Sequence, residues 1–327
     1  MGIIGRRGSP RQVSCSMAIL LIHGGAGKIA ERFQPEYEAG LRAALESGYA
    51  ALTQGAHHGA SRALAAVLAA VTSMESNSEA FNAGIGGALT RDGTVELDAC
   101  VMVSRAEPGT RAGAVAGVTN TANPVLLADQ VRRSTPHVLM IGQGAEALVQ
   151  QPVSNVSLIT AKSRASLDSW LAGNARDLEQ PISGRQGGSN TVGAVALDDD
   201  GNLAAATSTG GRTGQWRGRV GDAPIPGLGT YADELVAISC TGKGEAFMEA
   251  AVAARLAAAL ESGTELEEAV ERALADVVRM DGDGGIIAVT ADGRLAVGFN
   301  SPDMAYGIAT QDSRSSEVAR TRFVRVM

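Results

Sequence analysis

Three segments of this chain share one pattern, in which runs of small or β-branched residues alternate on either side of an Asp-Gly pair. They are 87–102 around Asp92-Gly93, 191–207 around Asp200-Gly201, and 285–299 around Asp292-Gly293. Asp-Gly between alternating runs is a strong hairpin signal, because both turn positions can take positive φ, and a hairpin dictates antiparallel strands. Around these segments lie Ala- and Leu-rich stretches with apolar residues at helical spacing: 36–48, 61–74, 124–133, 144–149, 244–260 and 265–280, the last behind a Thr264-x-x-Glu267 capping box. Met17-Ala-Ile-Leu-Leu-Ile22 reads as a buried strand running straight into His23-Gly-Gly-Ala-Gly27. Hairpins grouped with helices predict a layered α+β fold whose antiparallel sheets are covered by helices.

The 327 residues include 41 glycines and only 3% aromatics, so small residues and close backbone approaches carry the fold. Lys and Arg number 28 against 35 Asp and Glu, a net charge of −7 with no basic block, which argues against nucleic-acid or anionic-membrane partners. No apolar run approaches the roughly 18 residues that span a bilayer. Residues 1–16 are polar, Arg-rich and Gly-rich rather than signal-like, and are expected to be a disordered extension, with a cytoplasmic location following. Cys15, Cys100 and Cys240 are odd in number with no CxxC pair, which fits reduced thiols, with Cys100 and Cys240 expected to be buried. His23, His57, His58 and His137 are too scattered for a zinc site, so no metal centre is expected from the side chains. Asp198-Asp199-Asp200-Gly201 and Asp281-Gly-Asp283 imitate calcium loops but lack the Glu at position twelve. Residues 163–190 show no period and read as a long exposed linker, ending where a strand begins abruptly after Asn190-Thr191.

Taken singly, the polar residues near these junctions have structural explanations. Thr191 and Thr209 are ordinary strand residues, Arg219 and Asp222 suit a surface ion pair, Asn82 suits a turn cap, and His23 suits a hydrogen-bonded core position. Taken together they sit in seven ordered motifs beside the Asn190 to Gly211 stretch. These are Ile22-His-Gly-Gly-Ala-Gly27, Phe81-Asn-Ala-Gly-Ile-Gly86, Asp92-Gly-Thr-Val-Glu-Leu-Asp-Ala99, Gly113-Ala-Val-Ala-Gly-Val-Thr119, Thr135-Pro-His137, Gly218-Arg-Val-Gly-Asp222 and Ser239-Cys-Thr-Gly-Lys-Gly-Glu245. In this the chain resembles the plant-type asparaginases, or isoaspartyl aminopeptidases, of the N-terminal-nucleophile hydrolase superfamily.

That resemblance implies a four-layer αββα sandwich forming one domain, cut by its own chemistry into an α subunit, 17–190, and a β subunit, 191–327. It implies cleavage between Asn190 and Thr191, with Thr191 as nucleophile and its freed α-amine as base. A threonine hydroxyl needs such a base, and an α-amine with an ordinary pKa of about 7.7 to 8 suits neutral pH. Thr209 corresponds to the threonine that tunes the nucleophile, and Thr241 and Gly242 to the oxyanion pair. Arg219 and Asp222 correspond to the clamp on the substrate's α-carboxylate and α-amino group, Gly244 adds a backbone contact, and Asn82 lies near the pocket. The implied substrates are β-aspartyl dipeptides and L-asparagine, with L-aspartate released, no cofactor required, and a dimer of cleaved heterodimers as the assembly. The family also holds a sodium ion on backbone carbonyls in the loop before Phe81, where Glu75-Ser-Asn-Ser-Glu-Ala80 lacks the usual Pro and paired acids. Asn190 replaces the usual Gly or Asp before the nucleophile, and Lys243 replaces a small residue beside the oxyanion pair. Two alternatives remain open on sequence: a glycosylasparaginase-like amidase, and an uncleaved, silent relative acting as a binding protein.

Overall fold

The computed structural model describes residues 18–54, 60–105, 109–173, 191–311, 313–319 and 323–324. The expected disordered extension 1–16, the scissile-side Asn190, Cys15, His57 and His58 lie outside the described residues. The first sheet contains β1 (Ile19–Gly27), β2 (Leu97–Val103), β3 (Ala112–Val118), β4 (Leu139–Ile141), β5 (Val192–Leu197), β6 (Leu203–Thr209), β11 (Asp303–Ala309) and β12 (Arg314–Ala319). Its spatial order is β12-β11-β1-β5-β6-β2-β3-β4, and the described pairs are antiparallel except β3 with β4. The second sheet runs β13-β10-β9-β8-β7, built from β7 (Thr230–Ala232), β8 (Val236–Gly242), β9 (Gly284–Thr290), β10 (Leu295–Phe299) and β13 (Phe323–Val324).

Strand alternation assigns each sheet two apolar faces and the molecule three cores. Leu20 and Ile22 of β1, Val192, Ala194 and Ala196 of β5, and Ala204 and Ala206 of β6 pack in a first core. It is closed by α1 (Gln34–Gln54), α2 (Arg62–Glu75) and α3 (Pro124–Ser134). Ile19, Leu21, Val195, Leu197, Leu203 and Ala205 point the other way, meeting Ile287, Val289 and Val297 between the sheets. Ile286 and Ala288 then face a third core under α6 (Gly244–Ala250), α7 (Val252–Glu261) and α8 (Leu266–Arg279). Helix, sheet, sheet and helix layers follow, the αββα sandwich that was expected. Alanines line much of both sheet faces, which lets the layers approach closely with few aromatics.

The three Asp-Gly segments share one turn, which differs from the expected one. In each, the glycine N–H donates to the residue three earlier: Gly93 to Thr90 O, Gly201 to Asp198 O, and Gly293 to Thr290 O, at 2.9 to 3.0 Å. Only the glycines take positive φ, at 79°, 75° and 86°, whereas the aspartates do not. This is a type I turn closed by a left-handed glycine, so glycine alone is demanded by the backbone. Around Asp92-Gly93 the expected two-strand hairpin reduces to one bridge, Leu89 with Val95, because β2 beyond it pairs with β3 and β6 instead.

Other expectations shift for local reasons. The expected linker 163–190 begins as helix α5 (Ala161–Gly173), and residues 174–190 lie outside the described part. Thr160 and Ser163 cap this helix reciprocally, each backbone N–H donating to the other's hydroxyl at 3.0 and 3.1 Å. Because α5 buries only Ser163 and Leu167, it leaves no apolar period to read. The helix expected over 244–260 breaks at Ala251, which has φ 49° and ψ 48°. There the first-turn N–H groups of Ala253 and Ala254 donate to the Leu228 and Gly227 carbonyls. The Thr264 capping box does not form. Gly263 N–H bonds to Leu260 O and Thr264 N–H to Ala259 O, the paired bonds of a Schellman stop, so Thr264 closes α7 and Glu265 becomes the N-cap of α8. The short helix expected at 144–149 is α4 (Gly142–Glu146), and the first strand continues through the glycines to Gly27.

Candidate active site

Thr191 immediately precedes β5, whose first residue Val192 pairs with Ser208 of β6. Continuing that antiparallel register by one residue places Thr191 opposite Thr209. The two hydroxyls are 2.9 Å apart, with Thr191 Oγ1 donating to Thr209 Oγ1, and both residues are buried. Thr209 Oγ1 also accepts the Gly211 N–H at 3.0 Å, which fixes the second hydroxyl from behind.

His23, fully buried on β1, bonds through Nδ1 to the Thr191 carbonyl at 3.1 Å and through Nε2 to Ser239 Oγ at 2.9 Å. A carbonyl can only accept, so Nδ1 carries the proton and Nε2 accepts from the Ser239 hydroxyl. Burial drives the imidazole pKa down to about 3, which keeps it neutral. Ser239 Oγ in turn lies 2.7 Å from Thr207 Oγ1. Gly193 makes the contact fit, since a Cβ there would lie 2.0 Å from Ser239 Oγ and 2.3 Å from His23 Nε2. His23 is therefore the hydrogen-bonded core histidine that its context suggested, holding the nucleophile's own carbonyl.

Ser239 also locates the next pair. It projects from β8 toward the first sheet, and Thr241, two residues along the strand, shares that face about 7 Å away. Thr241 is buried, and Gly242 follows with φ 147° where a Cβ would collide with Asp283 O at 2.3 Å. Only glycine admits this approach of β8 to the turn after α8. Lys243 continues the turn with its N–H on Asp283 O at 2.9 Å and its ammonium on Asp281 O at 3.0 Å, an exposed contact. The cation is thus engaged with the α8–β9 turn.

Arg219, Asp222 and Gly244 meet at one corner. A Cβ on Gly244 would lie 2.9 Å from both Arg219 Nη2 and Asp222 Oδ1, so the absent side chain is what lets the pair close there. Arg219 donates through Nε to Glu245 Oε1 at 3.0 Å, and its Nη2 lies 3.0 Å from the same oxygen. Asp222 is buried, its Oδ2 has no hydrogen-bond partner among the described residues, and burial raises its pKa to about 7 against the pull of Arg219. A buried acceptor without a donor is costly and suits an incoming cationic group. Asp98 joins this corner to the threonines: it pairs with Thr209 across β2 and β6, accepts the Gly117 N–H at 2.9 Å, and lies in the field of Arg219. Burial pushes its carboxyl up to about 7 as well.

Asn82 is held among backbone groups beside the threonine pair. Its Nδ2 donates to Gly211 O at 2.8 Å, its Oδ1 accepts the Ala88 N–H at 2.6 Å, and its carbonyl accepts the Gly210 N–H. It clamps the turn that follows Thr209 and so acts on the nucleophile's partner from behind. Ser239, Thr207, Asp98 and Glu245 are supporting residues that sequence reasoning did not single out. Ser239, Asp98 and Glu245 lie inside the quoted motifs, and that position was the available signal.

Comparison with known proteins finds relatives over most of the chain. Residues 16–319 match the family described as asparaginase. The chain is 44% identical over 309 residues to the isoaspartyl peptidase of Salmonella typhimurium, covering 89% of this chain and 96% of that protein. It is 38% identical over 300 residues to an isoaspartyl peptidase/L-asparaginase of Xenopus laevis, covering 90% and 93%. A plant-type L-asparaginase of Pyrobaculum calidifontis is 38% identical over 298 residues, covering 89% and 96%.

Proposed function

The chain belongs to the asparaginase family, and from that premise we propose that it is an autocatalytically cleaved threonine amidohydrolase acting on β-aspartyl dipeptides and L-asparagine. The observation that carries the reading is the 2.9 Å hydroxyl pair of Thr191 and Thr209 at the start of a buried strand.

Maturation begins when Thr191 Oγ attacks the Asn190 carbonyl and the peptide nitrogen departs as the Thr191 α-amine. The resulting ester links Asn190 to Thr191 Oγ, and water hydrolyses it to leave a carboxylate on Asn190 and a free N-terminal threonine. In turnover, that amine accepts the Thr191 hydroxyl proton as Oγ attacks the side-chain carbonyl of the aspartyl unit. Negative charge develops on the carbonyl oxygen, toward the Thr241 hydroxyl and the Gly242 N–H. The amine then gives its proton to the leaving amine or ammonia, and water repeats the sequence on the aspartyl ester to release L-aspartate. Neutral His23 cannot replace the amine as base, because its Nδ1–H and Nε2 are both committed to Thr191 O and Ser239.

Specificity for the β linkage follows if the α-carboxylate meets Arg219 and the α-ammonium meets the free Oδ2 of Asp222, which leaves only the side-chain carbonyl for attack. The account of assembly is a dimer of cleaved heterodimers. Leu139 and Ile141, 41% and 66% exposed on edge strand β4, offer an apolar surface for a second copy. No described helix is long and apolar enough to cross a membrane. The free, buried thiols of Cys100 and Cys240 suit the reducing cytoplasm that we propose as its location. A paired assay tests the activity: a β-aspartyl dipeptide is hydrolysed to L-aspartate while its α-linked isomer survives. Cleavage of the α isomer, or of neither, contradicts the reading.

A further inference from the structure

Arg219 and Asp222 stand on an irregular connection, residues 210–229, between β6 and β7, whereas Thr191 and Thr209 stand on the first sheet. An aspartyl unit held at its α-groups presents its side-chain carbonyl at one reach only, so the distance from clamp to nucleophile has to be fixed. Strand β2 supplies the contact. Its Leu97, Ala99, Val101 and Val103 face the helices, while Cys100 and Met102 face the second sheet. Asp98 and Glu96 therefore continue the inter-sheet face beyond the end of its apolar core, and both are buried. Asp98 pairs with Thr209, which in turn lies opposite Thr191, so the three form one row across β2, β6 and β5 with about 4.8 Å between strands.

Both carboxylates reach from that strand to the turn that carries the anchor. Glu96 Oε2 accepts the Gly218 N–H at 2.7 Å, and its Oε1 lies 3.6 Å from Arg217 Nε. The ladder between β2 and β3 shifts register at Asp98, and the Gly117 N–H freed by this bulge donates to Asp98 Oδ1 at 2.9 Å, which fixes the carboxyl. The Gly221 N–H acts on the same carboxyl. Gly218 takes φ 81°, and the Arg219 N–H closes the turn on Trp216 O at 3.1 Å. The amides of Gly218 and Gly221 thus bracket Arg219, whose guanidinium folds back on Gly221, where a Cβ would stand 3.0 Å from Nη1.

We propose that Glu96 and Asp98 are positioning residues that set the reach of the site: gripping the turn on both sides of Arg219, they hold the α-group clamp at a fixed distance from the Thr191 row and so select an aspartyl unit over a glutamyl one. This selection rests on the β-aspartyl reading above and extends it to substrate length. A glutamyl unit held by the same α-groups carries its amide carbon one methylene further along, and a misplacement of about 1 Å can cost roughly 100-fold in rate. A turn released from Glu96 accommodates either length. Cleavage at Thr191 needs no α-group clamp and continues.

The test measures kcat/KM of the cleaved protein on a β-aspartyl dipeptide and on the γ-glutamyl dipeptide with the same leaving residue. Wild type should prefer the aspartyl substrate, and Glu96→Ala should lower that preference about tenfold or more, by a loss on the aspartyl substrate that the glutamyl one does not share. Glu96→Asp keeps the charge but draws the carboxylate back by one methylene, and should lose discrimination in the same way. Glu96→Gln keeps the reach and an acceptor oxygen, and should restore most of it. Should Glu96→Ala fail to fold, the Glu96→Asp and Glu96→Gln pair decides. Hydrogen exchange adds a readout free of substrate: the Gly218 amide should exchange faster in Glu96→Ala and Glu96→Asp than in wild type or Glu96→Gln. An unchanged preference or unchanged Gly218 exchange in Glu96→Asp, an equal loss in Glu96→Gln, or an equal loss on both substrates overturns the proposal. A wild type that hydrolyses neither dipeptide overturns the β-aspartyl reading and this selection together, whereas a selective wild type with indifferent variants overturns the selection alone.

Discussion

The Thr191 side chain is held at its hydroxyl by Thr209 and its carbonyl is held by His23, and once the chain is cut its amine is the group we assign to carry protons. Two titrations then govern activity. The kcat profile should rise through one ionisation, that of the amine, near or below its ordinary value of about 7.7 to 8. The kcat/KM profile should carry a second limb near pH 7 from Asp222, because burial raises that carboxyl to about 7 and only its ionised form grips an ammonium. The sign is a loss of affinity as pH falls through 7, and His23→Gln should leave both limbs in place in steady-state assays. A vanished kcat limb in that variant would make the histidine the base. At the anchor, Arg219→Ala should raise KM roughly 10- to 100-fold, the worth of a charged hydrogen bond, while the chain still cleaves. Arg219→Lys should restore only part, since an ammonium lacks the planar fork. Unchanged Michaelis kinetics in Arg219→Ala would place the anchor elsewhere. The roles proposed for Thr191 and Arg219 were legible because the motifs name them. The bond from Asn82 to Gly211 was not, because its partner lies 129 residues further along the chain.

Among the elements, two junctions carry checkable costs. The end of α2 caps the start of α3: the buried Glu75 carboxyl accepts the Val125 N–H at 3.0 Å and the Asn123 amide at 3.3 Å, where Asn123 provides no side-chain cap. Burial raises Glu75 from an ordinary 4.5 to about 8, so the folded state holds this proton more tightly than the unfolded one. Stability contributed by the protonated carboxyl is full below pH 4.5 and is lost as pH rises toward 8. Glu75→Gln cannot ionise, so its stability relative to wild type should climb between pH 5 and 8.5 in urea titrations; a constant difference would show that the carboxyl does not titrate there. At the α6–α7 break, Ala251 holds left-handed angles that cost an L-residue about 1 to 2 kcal/mol. Ala251→Gly should stabilise the protein by about 1 kcal/mol in the same experiment, and a destabilised variant would mean that the kink is not strained. Sequence periodicity merged α6 and α7, because the bonds that split them come from Gly227 and Leu228, far away in the chain. It missed α5 for the opposite reason, since a helix that buries two residues has no pattern to show.

On the scale of the whole molecule, the layered architecture was readable because strand alternation and helical spacing both survive in a chain whose cores are built from Ala, Val, Leu and Ile. The stacking order of the strands was legible only within hairpins: the Asp200-Gly201 turn announces the pairing of β5 with β6, whereas no local pattern encodes the pairing of β5 with β1. Assembly has its own test in light scattering: the cleaved protein should run at twice the 33.3 kDa chain mass, and Ile141→Glu should shift it toward a single copy. A dimer untouched by that charge would put the interface on another face. The central claim, that Thr191 becomes the N-terminal nucleophile, is tested most directly by intact-mass spectrometry of the denatured protein. The account predicts two fragments, one ending at Asn190 and one beginning at Thr191, with Thr191→Ala remaining whole and inactive. An undivided wild-type chain that is fully active, or a mature fragment beginning at any other residue, would contradict it.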